Sequence, residues 1–156
     1  MRDAVIQAGD MLLERFKGDK EISFKGRADV VTDVDIAVEK QIIYALQSEY
    51  TGFGVLAEES QPIQGTSGYT WVIDPLDGTR NYSLGIPFFS VVIALCRNDE
   101  VIMGMTYDPV RREIFHAKKG EGAFLNSDPI SVSNKTTLPE ALLGYDLGYV
   151  DADASK

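Results

Sequence analysis

Two aspartates, Asp74 and Asp77, stand three residues apart in the segment Trp71-Val72-Ile73-Asp74-Pro75-Leu76-Asp77-Gly78-Thr79. The apolar stretch before them reads as a buried strand, so both carboxylates fall at a strand end. Pro75 interrupts the hydrogen-bond ladder there, and Gly78 allows a sharp turn or a close backbone approach. A second acidic pair, Glu58-Glu59, ends another apolar stretch, Gly54–Ala57. If the two strand ends meet, three or four carboxylates converge. Uncompensated, such a cluster repels itself and raises its own pKa values. A divalent cation removes that cost. Oxygen donors without His or Cys point to Mg²⁺, Mn²⁺ or Ca²⁺ rather than zinc. An Asp-Gly pair by itself more often marks a solvated turn. The apolar strand, the second aspartate and the upstream acids weigh against that plainer reading.

These acids must be held by the rest of the chain. Val5, Gly9, Leu12 and Phe16 recur at helical spacing, with Ile6 and Leu13 widening the stripe. Gly18 ends that helix as a C′ residue. A second helix starts near Thr32 or Asp33, either of which can cap it, and Asp35 in its first turn suits the positive end of the helix dipole. Ile36, Ile43, Leu46 and Tyr50 line one face, with Ile42 beside them. Short strands are expected at 22–25, 54–57, 69–73, 88–97, 101–107, 111–117, 122–125, 129–132 and 141–147. Residues 26–29 and 61–68 read as loops, and Asn98-Asp99 as a hairpin turn. The expected fold class is α+β, two helices packed on a mainly antiparallel sheet.

Composition narrows the function. A length of 156 residues suits one domain with a real core. Apolar residues at 44% and charged residues at 25% exclude a disordered tail, a collagen-like fibre and a disulfide scaffold. Lys plus Arg is 15 against 24 Asp plus Glu, a net charge of −9, which argues against nucleic acid or an anionic membrane as partner. No apolar run approaches the ~20 residues that cross a bilayer. Residues 1–18 lack the basic and apolar regions of a signal peptide. One cysteine, Cys96, excludes an internal disulfide. The expected location is cytoplasmic.

The segment Ile73-Asp74-Pro75-Leu76-Asp77-Gly78-Thr79-Arg80-Asn81 resembles the first signature of the inositol monophosphatase family, Mg²⁺-dependent phosphatases inhibited by Li⁺. The resemblance runs from about residue 9 to residue 132. It includes Val31-Thr32 before Asp35, Glu58-Glu59-Ser60, and Lys119-Gly120-Glu121-Gly122-Ala123-Phe124. It implies the layered sugar-phosphatase fold and hydrolysis of a small phosphate monoester by a metal-activated water. By the same resemblance Glu58, Asp74 and Asp77 bind Mg²⁺ through carboxylates and Leu76 through its carbonyl. Glu58 and Thr79 orient the water, Asp35 holds the Thr79 hydroxyl, and Asp77, Gly78 and Thr79 meet the substrate phosphate. Lys25 matches a lysine in a loop near a third metal site. Relatives are usually homodimers. Inositol monophosphate, fructose 1,6-bisphosphate and 3′-phosphoadenosine 5′-phosphate are all substrates of similar proteins. A DxDGT spacing would instead suggest a nucleophilic aspartate of the haloacid-dehalogenase type. Here two residues separate the aspartates, which changes the side chains that share a face.

The family's second signature, Trp-Asp-x-Ala-x-Gly, is absent, because the only tryptophan is Trp71. The expectation is therefore an N-terminal portion: residues 1–150 a metal-binding domain, 151–156 a polar tail, the C-terminal domain missing and the metal site incomplete. A non-catalytic α+β fragment, binding a metal or a partner through a sheet edge, is the alternative. Other residues read as structural. His116 has no second His or Cys nearby, Cys96 suits the core, Asp33 caps a helix, and Tyr82, Phe88 and Phe89 pack. Arg111-Arg112 and Lys118-Lys119 line solvated edges, and Glu59 supports Glu58.

Overall fold

The computed structural model describes residues 1–16, 18, 22–24 and 30–142. Lys25, the loop at 26–29, residues 143–147 of the last expected strand and the tail 151–156 lie outside the described residues. Helix α1 (Arg2–Phe16) is followed by an antiparallel ribbon of β1 (Ile22–Phe24) and β2 (Val30–Thr32). Helix α2 (Asp33–Glu49) comes next. Strands β3 (Gly54–Ala57), β4 (Tyr69–Asp77), β5 (Ser90–Arg97), β6 (Glu100–Asp108), β7 (Glu113–Lys118), β8 (Gly122–Leu125) and β9 (Asp128–Ile130) form one sheet in sequence order. A short helix, α3 (Thr79–Ser83), leaves the end of β4.

Among the described residues the sheet is antiparallel except at one pair. β3 runs parallel to β4, with Gly54 opposite Thr70 and Ala57 opposite Ile73. From β4 to β9 every neighbour is antiparallel. Both long helices cover one face. α1 turns Val5, Ala8 and Leu12 inward, and α2 turns in Val34, Val38, Ile42 and Leu46. They meet Trp71 and Ile73 of β4 and Val91, Ile93 and Leu95 of β5 in one core. This is the period of two that a half-covered strand requires. Gly9 lets α1 approach β6, because a Cβ there would lie 2.8 Å from Tyr107 Cδ1 and 2.9 Å from Pro109 Cβ.

Several expectations change in detail. β4 continues past Pro75 to Asp77, but its register to β5 shifts between Asp74 and Asp77, where the proline removes a donor. Cys96 is half-buried, because alternation along β5 turns it away from the helix side that Leu95 occupies. Asp33 is the first residue of α2 rather than its cap, and its carboxylate pairs with Arg15 at 3.0 Å. Residues 141–142 are not strand; they follow a 3-10 turn, Leu138–Glu140. Among the described residues no helix is long and apolar enough to cross a membrane.

Candidate active site

The parallel pairing of β3 with β4 sets the site. Ala57 sits opposite Ile73, so the next residues, Glu58 and Asp74, leave the same end of the sheet side by side. Asp74 is half-buried, and its Oδ1 accepts the Leu76 N–H at 3.1 Å. Burial pushes the Asp74 carboxyl above the usual carboxylate range. The nearby charges of Asp77 and Asp35 push the same way, while the Leu76 N–H and a hydrogen bond with Glu58 pull it back.

Asp77 is exposed and turned toward β5, where its Oδ2 accepts the Ser90 hydroxyl at 3.0 Å. Gly78 then takes a left-handed conformation, φ 90° and ψ 32°. A side chain is excluded there on two counts, the positive φ and a Cβ position 3.0 Å from Phe88 O. The turn starts α3 at Thr79. Thr79 Oγ1 lies 2.8 Å from Leu76 O and 3.3 Å from the buried Asp35 Oδ1. One hydroxyl proton serves both acceptors, and the shorter contact takes the larger share. Beside Asp77 opens a cavity of about 380 Å³, lined in part by Gly78, Asn81, Phe88, Ser90 and Asp108. Asn81 Nδ2 donates to Phe88 O at 2.9 Å and holds its wall.

The structure thus gathers Asp35, Glu58, Asp74, Leu76, Asp77, Gly78 and Thr79 at one end of the sheet. Lys25 lies outside the described residues. Among those residues no group of three or more His, Cys, Asp or Glu side chains is arranged to hold a metal ion. Asp77 is held by the Ser90 hydroxyl, and Asp74 by the Leu76 N–H and Glu58, while the charges of Asp77 and Asp35 still act on Asp74. Their chemistry, oxygen donors around a desolvated aspartate crowded by like charge, fits a hard divalent cation.

The sequence reading missed two residues. Ser90 is the one polar residue in the apolar run 86–96, and that interruption is its signal. Glu39 follows Asp35 by one helical turn, which puts both acids on the inward face of α2. Its Oε2 accepts the Glu59 N–H at 2.7 Å. Others prove structural. His116 Nε2 lies 3.0 Å from Asn126 O, and its ring stacks on Phe124. Tyr82 and Phe89 are buried. Phe88 is not core packing as expected. It is 65% exposed, because β5 starts only at Ser90, and Arg111 lies 5.8 Å from its ring centroid. Arg111 pairs with Asp108, Lys118 with Glu121 and Lys119 with Glu100, all near the surface.

The site thus lies where a sheet covered by two helices brings acids to the shared end of the parallel strands β3 and β4. The inositol monophosphatase family model matches residues 1–155, and the chain belongs to that family. It is 42% identical over 156 residues to an inositol monophosphatase of Dictyostelium discoideum, covering 97% of this chain and 57% of that protein. Among solved structures it is similar to the extragenic suppressor protein suhB of Bartonella henselae. There the TM-score is 0.85 at 39% identity, over 86% of this chain and 54% of the other. A protein described as inositol monophosphatase–fructose 1,6-bisphosphatase gives a TM-score of 0.77 at 28% identity, over 86% and 54% of the two chains. The chain spans about half the length of the curated relatives it matches.

Proposed function

We propose that this chain carries the metal-binding part of a phosphatase that hydrolyses a small phosphate monoester, an inositol monophosphate or a related sugar phosphate, with Mg²⁺ as cofactor. The observation that carries the proposal is the placement of Glu58 beside Asp74 at the shared end of β3 and β4, with the charges of Asp77 and of Asp35 on α2 near enough to raise the Asp74 carboxyl. Glu58, Asp74, Asp77 and the Leu76 carbonyl would hold the cations. Leu76 O already accepts from Thr79, and a carbonyl keeps a second lone pair for that purpose. Bound divalent ions supply charge neutralisation at phosphoryl oxygens and lower the pKa of water. The protein's own groups do the positioning. Thr79 Oγ1 and the Glu58 carboxylate orient the attacking water, and Asp35 steadies the Thr79 hydroxyl. The Gly78 and Thr79 N–H groups donate to the phosphate oxygens, and Asp77 adds a substrate contact.

Fructose 1,6-bisphosphate and 3′-phosphoadenosine 5′-phosphate are the alternative substrates within this reading. Lithium inhibition, a homodimer and a cytoplasmic location belong to it as well. A different reading is a non-catalytic metal- or partner-binding fragment. It draws on the half-length match to relatives and on Phe115 and Ile130, 40% and 41% exposed on the sheet.

The test measures phosphate release from inositol 1-phosphate with and without millimolar Mg²⁺, together with Mn²⁺ affinity of the chain, Glu58→Gln and Asp74→Asn. Mg²⁺-dependent release, with weaker Mn²⁺ binding in both variants, supports the phosphatase reading. Mn²⁺ binding without release from a folded chain favours the fragment. Equal affinity in all three proteins would sink the ligand assignment.

A further inference from the structure

Glu39 is 1% exposed, in the middle of α2, yet it carries a polar side chain. Its Oε2 accepts the backbone N–H of Glu59 at 2.7 Å. That N–H belongs to the peptide joining Glu58 to Glu59. On the other side of Glu58, the parallel ladder fixes Ala57 opposite Ile73. The backbone is therefore held both before and after Glu58, by a strand and by a buried side chain. Glu58 itself is exposed, so burial does not choose its rotamer. Its side chain meets Asp74, and the peptides on either side of it fix where that side chain starts.

We propose that Glu39 is a positioning residue, which anchors the Glu58–Glu59 peptide and so aims the Glu58 carboxyl group at Asp74. This rests on reading Glu58 and Asp74 as cation ligands, but the anchoring is a property of the metal-free chain. The chemistry explains the residue type. The Glu59 N–H lies just past the strand end and needs an acceptor. An apolar residue of equal size offers none. Aspartate, one methylene shorter, falls short by about 1.5 Å. Glutamine keeps the oxygen at the same reach. The distance in sequence, 20 residues, makes this a tie between two elements and not a local turn.

The experiment compares Glu39→Gln, Glu39→Asp and Glu39→Met in isotope-labelled protein. It reads Glu59 amide exchange, the Glu58 carboxyl carbon shift and Mn²⁺ affinity, with core amides of α2 as the control. Glu39→Gln should leave Glu59 exchange within about threefold of the parent. Glu39→Asp and Glu39→Met should speed it about tenfold without moving the control amides. Both should move the Glu58 signal and weaken Mn²⁺ binding about 10–100-fold, as losing an outer support does. If Glu39→Met fails to fold, the Gln and Asp variants decide. Unchanged Glu59 exchange in Glu39→Asp, or equal damage in Gln and Asp, overturns the proposal. Failure of the parent chain to bind Mn²⁺ would refute the ligand reading, and the amide and Glu58 signals would still decide the anchoring.

Discussion

Tyr82 links the turn after Thr79 to the end of α1, and its hydroxyl can be tested by pH. The side chain is fully buried, and the hydroxyl donates to Leu12 O at 2.8 Å. The ring packs edge-on against Phe89, with centroids 4.9 Å apart, and tilted against Phe16 at 5.3 Å. Burial, with the Asp35 carboxylate second, pushes the phenol up to about 12. Tyr82→Phe keeps the ring and removes one hydrogen bond, so near pH 8 it should cost about 1 kcal/mol. In a chain of this size that lowers Tm by about 2–4 °C. At high pH the sign changes. The folded pKa lies above the unfolded value of 10, so the unfolded chain sheds the proton first and the parent loses stability as pH rises. With those two pKa values the loss is about 0.4 kcal/mol at pH 10 and about 1.4 kcal/mol at pH 11. The variant has no such proton. The ionisation of Tyr50 and Tyr107, also raised by burial, is common to both proteins and cancels in the difference. Urea unfolding followed by circular dichroism should therefore find the variant less stable at pH 8 and level with the parent near pH 11. A gap that stays constant from pH 8 to pH 11 would mean that water reaches the hydroxyl, and the packing argument would fail.

Gly9→Ala gains up to about 1 kcal/mol of helix propensity, but it drives a methyl into Tyr107 and Pro109 at a cost of about 1–3 kcal/mol. A net fall in Tm is expected, and a rise would contradict the close approach of α1 to β6. Gly78→Ala meets a left-handed φ of 90° and the Phe88 carbonyl. It should lose about 2 kcal/mol in chemical unfolding and weaken Mn²⁺ binding, since Asp77 and Thr79 flank the turn; equal stability would deny the strained turn. Asp74→Asn keeps the Oδ1 acceptor for Leu76 N–H and removes the charge that Asp77 and Asp35 oppose. The metal-free chain should gain up to about 1 kcal/mol while Mn²⁺ affinity falls, so loss of both stability and affinity would contradict the repulsion.

The sequence made the helices, the hairpin at Asn98-Asp99 and the acidic strand end legible, because each has a local signal. Helical spacing marks the α1 stripe, and Asp-Pro-Leu-Asp-Gly-Thr marks the turn. On α2 the buried face differs from the expected one, because Val34, Val38, Ile42 and Leu46 turn inward while Ile36, expected among them, is 41% exposed. What it did not carry were the partners. Alternation alone cannot tell which face of β5 the helices cover, and Cys96 lies on the face they leave open. The role of Asp33 depended on Arg15, 18 residues away. Glu39 and Ser90 act through Glu59 and Asp77, contacts that exist only once α2 and β5 have docked. Phe88 looked like core because its neighbours are apolar, but the strand begins two residues later.

The parallel pairing of β3 with β4 accounts for the position of the site. If β3 ran antiparallel to β4 over the same residues, Glu58 would emerge beside Tyr69 instead of Asp74. Those positions are five steps apart along the strand, about 16 Å at ~3.3 Å per residue, too far for two carboxyl groups to share a cation. The hydrogen bond between Glu58 and Asp74 therefore depends on strand direction before it depends on either side chain. Parallel neighbours need a crossover, and residues between β3 and β4 supply it without a helix, through a loop pinned where Ile63 bridges Val55. The exposed loop at 61–68 thus sets the direction of β4, and with it the meeting of the two acidic strand ends. A change that frees this loop from Val55 should reach Asp74 through the backbone, although it touches none of the acids.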